Sequence, residues 1–313
     1  AVARELVATA DVLVHNWRPG IAERIGLGWD QLKPENPRLV YVHVSAFGSE
    51  DPEWRERAGY DLVLQAMGGA MSFAGLPGSA PMRAGTPIAD LVTGLLVTQG
   101  ALQGLLQRER TGEGQRIEVN MMQAQAACLV YHFSRYTVTG EAETQRGNAH
   151  RGLVPYDVFP CGDGYLALAC GNDGIWERLR TTLGLPDEPR WRTNAGRVAD
   201  RTNVDEALIG AMAAWSVEEA ERKLSDAGVP CGRVRGVGQV VDHPSVSAAT
   251  FEHPVLGEVR VAGPVLRTSS TRDTHDPPPA LGADTARVLT EDLGYGPERL
   301  AELREAGAFG SVG

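Results

Sequence analysis

Short apolar runs alternate with longer stretches of helical period through the first half of this chain. Asp11-Val-Leu-Val-His15 is mostly apolar and predicts a buried strand, and the breakers Pro19 and Gly20 stop it within a few residues. A helical turn is predicted over 21–25. Arg38-Leu-Val-Tyr-Val-His-Val-Ser45 is rich in β-branched and aromatic residues and predicts a second strand. From 88 to 108 apolar side chains recur at helical intervals, and Thr111-Gly112-Glu113-Gly114 then turns the chain into an alternating strand over 115–120. A further helix is predicted over 123–139. Strands alternating with helices imply an α/β sheet.

The polar, glycine-containing stretch 140–152 reads as a linker between lobes. Beyond it, two apolar runs bracket Cys161-Gly-Asp-Gly164 and predict a hairpin with an Asp-Gly turn. Helices are predicted over 175–183, 205–215 and 216–227. A second hairpin is predicted over 251–261, and a charged helical end over 284–306 beyond Pro277-Pro278-Pro279. The expected organisation has residues 1–140 as the N-terminal portion of a large lobe and 141–246 as a small α+β lobe with its linkers. Residues 247–313 are expected to return to the large lobe. The opening Ala-Arg-Glu-Leu-Val-Ala-Thr-Ala-Asp reads as the end of a helix already under way, so a truncated start is expected.

A chain of 313 residues can bury a substantial core. Its formal net charge of −10 argues against nucleic acid or an anionic membrane as partner, because both are drawn to positive fields. A phosphorylated small ligand therefore needs a local basic pocket. The apolar stretch 91–106 is interrupted by Thr93, Thr98, Gln99 and Gln103, and reads as a core helix. The four cysteines, Cys128, Cys161, Cys170 and Cys231, form no C-x-x-C pair, which fits reduced thiols in a cytoplasmic protein.

The chain contains no G-x-S-x-G elbow, no P-loop, no H-E-x-x-H and no complete G-x-G-x-x-G. Its histidines, at 15, 43, 132, 150, 243, 253 and 275, never pair at i,i+4, and most are expected to be structural or exposed. Asp90 differs in its setting. It follows the loop Pro81-Met-Arg-Ala-Gly-Thr-Pro-Ile-Ala-Asp90 and stands at the N-terminal edge of the predicted long helix. There a carboxylate can serve as a cap accepting backbone N–H bonds. The same N–H groups would keep it ionised, as a nucleophile must be.

Several segments taken in order resemble the family III CoA-transferases, the group of formyl-CoA transferase and carnitine CoA-transferase. They are Ala10-Asp-Val-Leu-Val-His-Asn-Trp-Arg-Pro-Gly20, Asn36-Pro-Arg-Leu-Val-Tyr-Val-His-Val-Ser-Ala-Phe-Gly48 and Gly59-Tyr-Asp-Leu-Val-Leu-Gln-Ala-Met-Gly-Gly69. Gly85 to Gly94 with Asp90 inside, Arg110-Thr-Gly-Glu-Gly-Gln115, Arg146-Gly-Asn-Ala-His-Arg-Gly-Leu-Val-Pro-Tyr156, Gly228-Val-Pro-Cys-Gly232 and Asp242-His-Pro244 extend the likeness almost to the end. The resemblance implies an α/β fold with a Rossmann-like large lobe lacking its beginning, a smaller α+β lobe and an interlocked homodimer. It further implies coenzyme A and acyl-CoA as substrates, a carboxylic acid acceptor, and no prosthetic group or metal.

By the same resemblance, Asp90 is the nucleophile that carries CoA as an aspartyl-CoA thioester. Asn16, Trp17, Arg18 and Arg24 match a region that contacts CoA, with Arg24 favoured over Arg18, and Tyr60 and Asp61 line the acyl pocket. Backbone N–H groups at Gly147 and Gly152 are either oxyanion donors on a mobile loop or parts of a plain turn. Related α-methylacyl-CoA racemases carry a Gly-His-Asp segment where this chain has Gly59-Tyr60-Asp61. A phenol, ionising near pH ~10 in water, is a poor base at neutral pH, so transfer is favoured over racemisation. Relatives begin with several tens of further residues, which leaves a non-catalytic remnant or interaction subunit as the other expectation.

Overall fold

The run 40–45 sets the architecture of the first half. In the computed structural model, which describes residues 2–270 and 276–308, three strands form an all-parallel sheet. They are β1 (Val12–His15), β2 (Val40–Ser45) and β3 (Arg116–Asn120), with β2 in the middle, Val12 opposite Val40 and Tyr41 opposite Arg116. A central parallel strand is covered on both faces, and β2 is buried along nearly its whole length.

The two-residue period of β2 divides its side chains between two layers. Val40 and Val42 pack with Val119 against Leu96, Val97, Ala101 and Leu105 of the long helix Ile88–Thr111. Leu39 and Tyr41 face the other way, onto Val7, Leu27 and Leu32 of the N-terminal segments. Fully burying each such valine or leucine contributes about 1.5–3 kcal/mol. Gly104 lets the long helix approach this closely, since a Cβ there would come within 2.5 Å of Val40 Cγ1.

The chain divides into two compact units, one reaching Gly147 and resuming at Asp284, the other running from Asn148 to Ala283. In the first, Tyr295 donates from its hydroxyl to Glu5 at 2.7 Å and ties the C-terminal return to the N-terminal helix Val2–Thr9. The second holds β4 (Tyr156–Cys161), β5 (Gly164–Ala169) and β6 (Cys231–Arg233) in an antiparallel sheet, and the separate hairpin β7 (Ala248–His253) and β8 (Gly257–Ala262). Its core is one cluster of fifteen buried residues, with Trp176 and Trp191 edge to face. The fold class is mixed α/β, with three sheets among the described residues.

Four expectations are corrected. The hairpin at 248–262 belongs to the second unit, not to the returning segment: Arg260 reaches Asp242 Oδ1 at 3.1 Å and the carbonyl of Val241, and the strands pair only with each other among the described residues. The helix expected over 123–139 is two, Met121–Ala127 and Tyr131–Thr139, broken at Val130 with φ +49°. Because Cys161 pairs with Gly164, the turn residues of the first hairpin are Gly162 and Asp163, and the Asp163 carboxylate accepts from Val217 N. The charged tail is interrupted at Gly294, φ +69°, before the helix Pro297–Glu305. His275 lies outside the described residues.

The long helix is a core helix on one face only. Leu91, Leu95, Leu102 and Leu106 stand exposed along the other. Its length and apolar composition would suffice for a membrane span, but the face carrying Leu96, Val97, Ala101 and Leu105 packs on the parallel sheet.

Candidate active site

The carboxyl ends of parallel strands are where open α/β sheets leave a crevice, because the chain departs from adjacent strands in different directions. Here Val14 and His15 end β1, Val44 and Ser45 end β2, and Met121 follows β3, all lining one cleft of about 660 Å³. The N-terminal turns of the long helix complete the wall with Asp90, Thr93, Gly94 and Val97. Gly94 stands one turn beyond Asp90 with open space where a Cβ would be, so the approach to the carboxylate stays clear.

Asp90 does not cap its helix. Pro87 is the N-cap residue and offers no side-chain acceptor. The cap comes from a different helix, Asp61–Met67: Asp61 Oδ1 accepts from Ala89 N at 2.9 Å and Asp90 N at 3.4 Å. Its other oxygen accepts from Gln65 Nε2 at 2.7 Å, and Gln65, only 1% exposed, accepts from Ala84 N through Oε1 at 2.8 Å. With the helix N–H groups engaged by Asp61, the Asp90 carboxylate is left free for the cleft. Its pKa lies above the ordinary carboxylate value, raised by burial and then by the neighbouring Asp61 charge. The expectation that backbone donors would favour its ionised form is therefore overturned.

On the opposite wall Trp17 stacks on His15 at 4.9 Å, and His15 stacks on His43 at 4.6 Å. Tyr41 donates to Leu27 O at 3.1 Å, so its oxygen accepts from His15 Nε2 at 2.8 Å. His43 Nε2 donates to the carbonyl of Trp17 at 3.1 Å. Burial, followed by the neighbouring His43, pushes the His15 pKa down to about 4, so the His15 ring is neutral at physiological pH. These two histidines hold the tryptophan in place.

Five predicted site residues, Asn16, Trp17, Arg18, Tyr60 and Asp90, line the cleft together. Asp61 does not line it, because both of its oxygens serve the protein as described. Arg24 lines neither this cleft nor the adjoining cavity of about 340 Å³; it is exposed on the short helix Ile21–Arg24. The adjoining cavity shares His15, Arg18, Pro19 and Arg55 with the cleft and adds Arg116. Gly147 N donates to Gly75 O and Gly152 N to His150 Nδ1, so both expected oxyanion donors are engaged within the chain.

A family model described as CoA-transferase family III matches residues 1–285. The chain belongs to that family. Among curated members it is 33% identical to the succinate–glutarate CoA-transferase of Agrobacterium fabrum over 299 residues, spanning 93% of this chain and 74% of that protein. It is also 33% identical to the human succinyl-CoA:glutarate CoA-transferase, over 98% of this chain and 72% of the relative. A solved CAIB/BAIF family protein from Brucella suis superposes with a TM-score of 0.77 at 32% identity, covering 92% of this chain and 77% of that one.

Within this CoA-transferase family member, Asp90 is the only carboxylate bordering the cleft among the described residues, against Arg18, Arg55 and Arg57. Sequence reasoning missed Arg55 and Arg57, although their position just before Gly59-Tyr60-Asp61 was a usable signal. It also missed Gln65. Nothing in the helical period of 61–67 marks a glutamine that closes a buried network with residues 84 and 86.

Proposed function

We propose that this chain moves coenzyme A between carboxylic acids, with Asp90 as the covalent carrier. The observation that carries the reading is a carboxylate, freed from helix capping and alone among the described residues of its cleft, facing arginines in a chain that is otherwise strongly acidic. A carboxylate oxygen of Asp90 adds to the thioester carbon of an acyl-CoA; the C–S bond breaks, leaving a mixed anhydride and CoA thiolate. The thiolate adds to the aspartyl carbonyl, the anhydride C–O bond breaks, and the first carboxylic acid departs as its carboxylate. Asp90 now holds CoA as a thioester.

The acceptor carboxylate repeats the sequence in reverse, forming a second anhydride from which the thiolate takes the new acyl group and regenerates Asp90. No proton is consumed, and thioester energy is kept as long as water stays out. Trp17, Asn16 and Arg18 supply an aromatic face, an amide and a cation for the nucleotide end. Tyr60, 77% exposed at the cleft, bounds the acyl end, where a racemase would need a base. The names of the relatives add succinate and glutarate, and we take dicarboxylic acids as the substrate class.

Incubation with acyl-CoA and hydroxylamine, followed by peptide mass spectrometry, tests the carrier. A hydroxamate is expected on Asp90 alone, absent from Asp90→Asn; labelling elsewhere would refute the reading. We further read the large unit as Rossmann-like and the exposed leucine row of the long helix as a face that meets a second copy in an interlocked dimer. Burying it offsets exposed apolar surface on each chain. Sedimentation should give a dimer that Leu95→Ser with Leu102→Ser weakens, and a monomeric parent would sink this part.

A further inference from the structure

Resting on the reading of Asp90 as carrier, we propose that Arg57 sets the substrate class by pairing with the far carboxylate of a dicarboxylic acid. The three arginines of the cleft differ in what they border. Arg18 and Arg55 also face the adjoining cavity, which Arg116, Glu23 and Glu56 line with them, and Arg55 is paired there with Glu56 at 3.3 Å, so neither cation is committed to the Asp90 cleft. Arg57 borders the Asp90 cleft alone.

Its guanidinium is held ready. It lies over the Trp54 ring at 3.9 Å, and Trp54 rests on Phe47 with centroids 5.4 Å apart. Its ion-pair partner, Glu53 at 3.0 Å, is 71% exposed along its side chain, and an exposed pair of this kind is weak enough for a substrate carboxylate to replace. The chain continues from Arg57 through Tyr60, also on the cleft wall, to Asp61, which caps the helix of Asp90. Cation and nucleophile are thus tied through a short stretch of backbone and one hydrogen bond. A planar guanidinium takes a carboxylate through two parallel N–H bonds, which a methyl-ended acid cannot accept.

The test compares glutarate with valerate, acids of equal chain length, as acceptors from one acyl-CoA donor. In a double-displacement reaction, kcat/KM for the acceptor starts from the CoA-loaded enzyme, and the ratio within each variant cancels any general loss of activity. The parent should favour glutarate by about 100-fold, and Arg57→Gln should lower that ratio by about 30-fold, with Arg57→Lys between them. A parent ratio near one, or a ratio unmoved in Arg57→Gln, overturns the assignment. So does a raised KM for the CoA ester with the ratio unchanged, which would give Arg57 to CoA. Asp90→Asn run alongside separates the two ideas: surviving turnover there strikes the carrier, whereas its loss with an unmoved ratio strikes Arg57 alone. No turnover with either acid in the parent counts against both.

Discussion

The two units of this chain use buried side chains in opposite ways. The second gathers fifteen buried residues into one core, and even its buried charge is structural: Arg197, with no exposed surface, donates to Val154 O, Trp191 O and Asp173 Oδ1. A buried guanidinium with its donors placed in this way is a staple. The first unit has two smaller clusters of five and three buried residues, on either side of its parallel sheet. Its buried polar groups, the His15–His43 column and the Gln65–Asp61 pair, shape a cleft wall and hold the helix that carries Asp90. The difference teaches where substitutions will be felt, as stability in one unit and as chemistry in the other.

Asp90→Asn should give the largest effect and fall wholly on chemistry. Turnover is expected to drop by at least about 10⁴-fold. The folded state favours the neutral form of a carboxyl whose pKa it raises, so Asp90 costs stability as the pH rises past its unfolded pKa, in full above the folded one, and Asn removes the cost. The melting temperature should therefore hold or rise at neutral pH; a clear fall would mean that Asp90 is a structural residue after all. Trp176→Ala is the mirror experiment. Removing this 1%-exposed side chain from the second core should cost about 3–5 kcal/mol in urea unfolding. A loss below about 1 kcal/mol would break the comparison.

Asp61→Asn should show the smallest but most divided effect. Asn can still accept from Ala89 N, but its amide would meet the Gln65 donor, and about 1 kcal/mol of stability should go. Transfer needs ionised Asp90, so the rate falls as the pH drops through its raised pKa. Asp61 raises that pKa, so removing its charge should move the acid limb of kcat to lower pH. An unmoved limb would assign the raised value to burial alone.

Much of the fold was legible because it is local. The apolar run at 40–45 and the helical period from 88 announced β2 and the long helix, and both lie within two or three residues of their predicted bounds. The break at Val130 carried no glycine or proline to announce it. Of the site, Asn16, Trp17, Arg18, Tyr60 and Asp90 were named from ordered motifs, and they border one cleft. Arg24, favoured by its spacing, does not, because spacing along a short helix leaves open whether a side chain turns toward the sheet ends or away.

By itself the sequence determined the family and the alternation of strand and helix, and it singled out Asp90 as the candidate carboxylate. These follow from period, breaker residues and motif order, which are properties of neighbours along the chain. Only the tertiary structure decided that Asp61 caps the helix of Asp90, that Gln65 braces Asp61, and that Arg57 rather than Arg24 borders the cleft. The cap and the cleft lining depend on the close approach of segments far apart in the chain, and the Gln65 brace, one turn along its own helix, is fixed in place by the Ala84 N–H nineteen residues away.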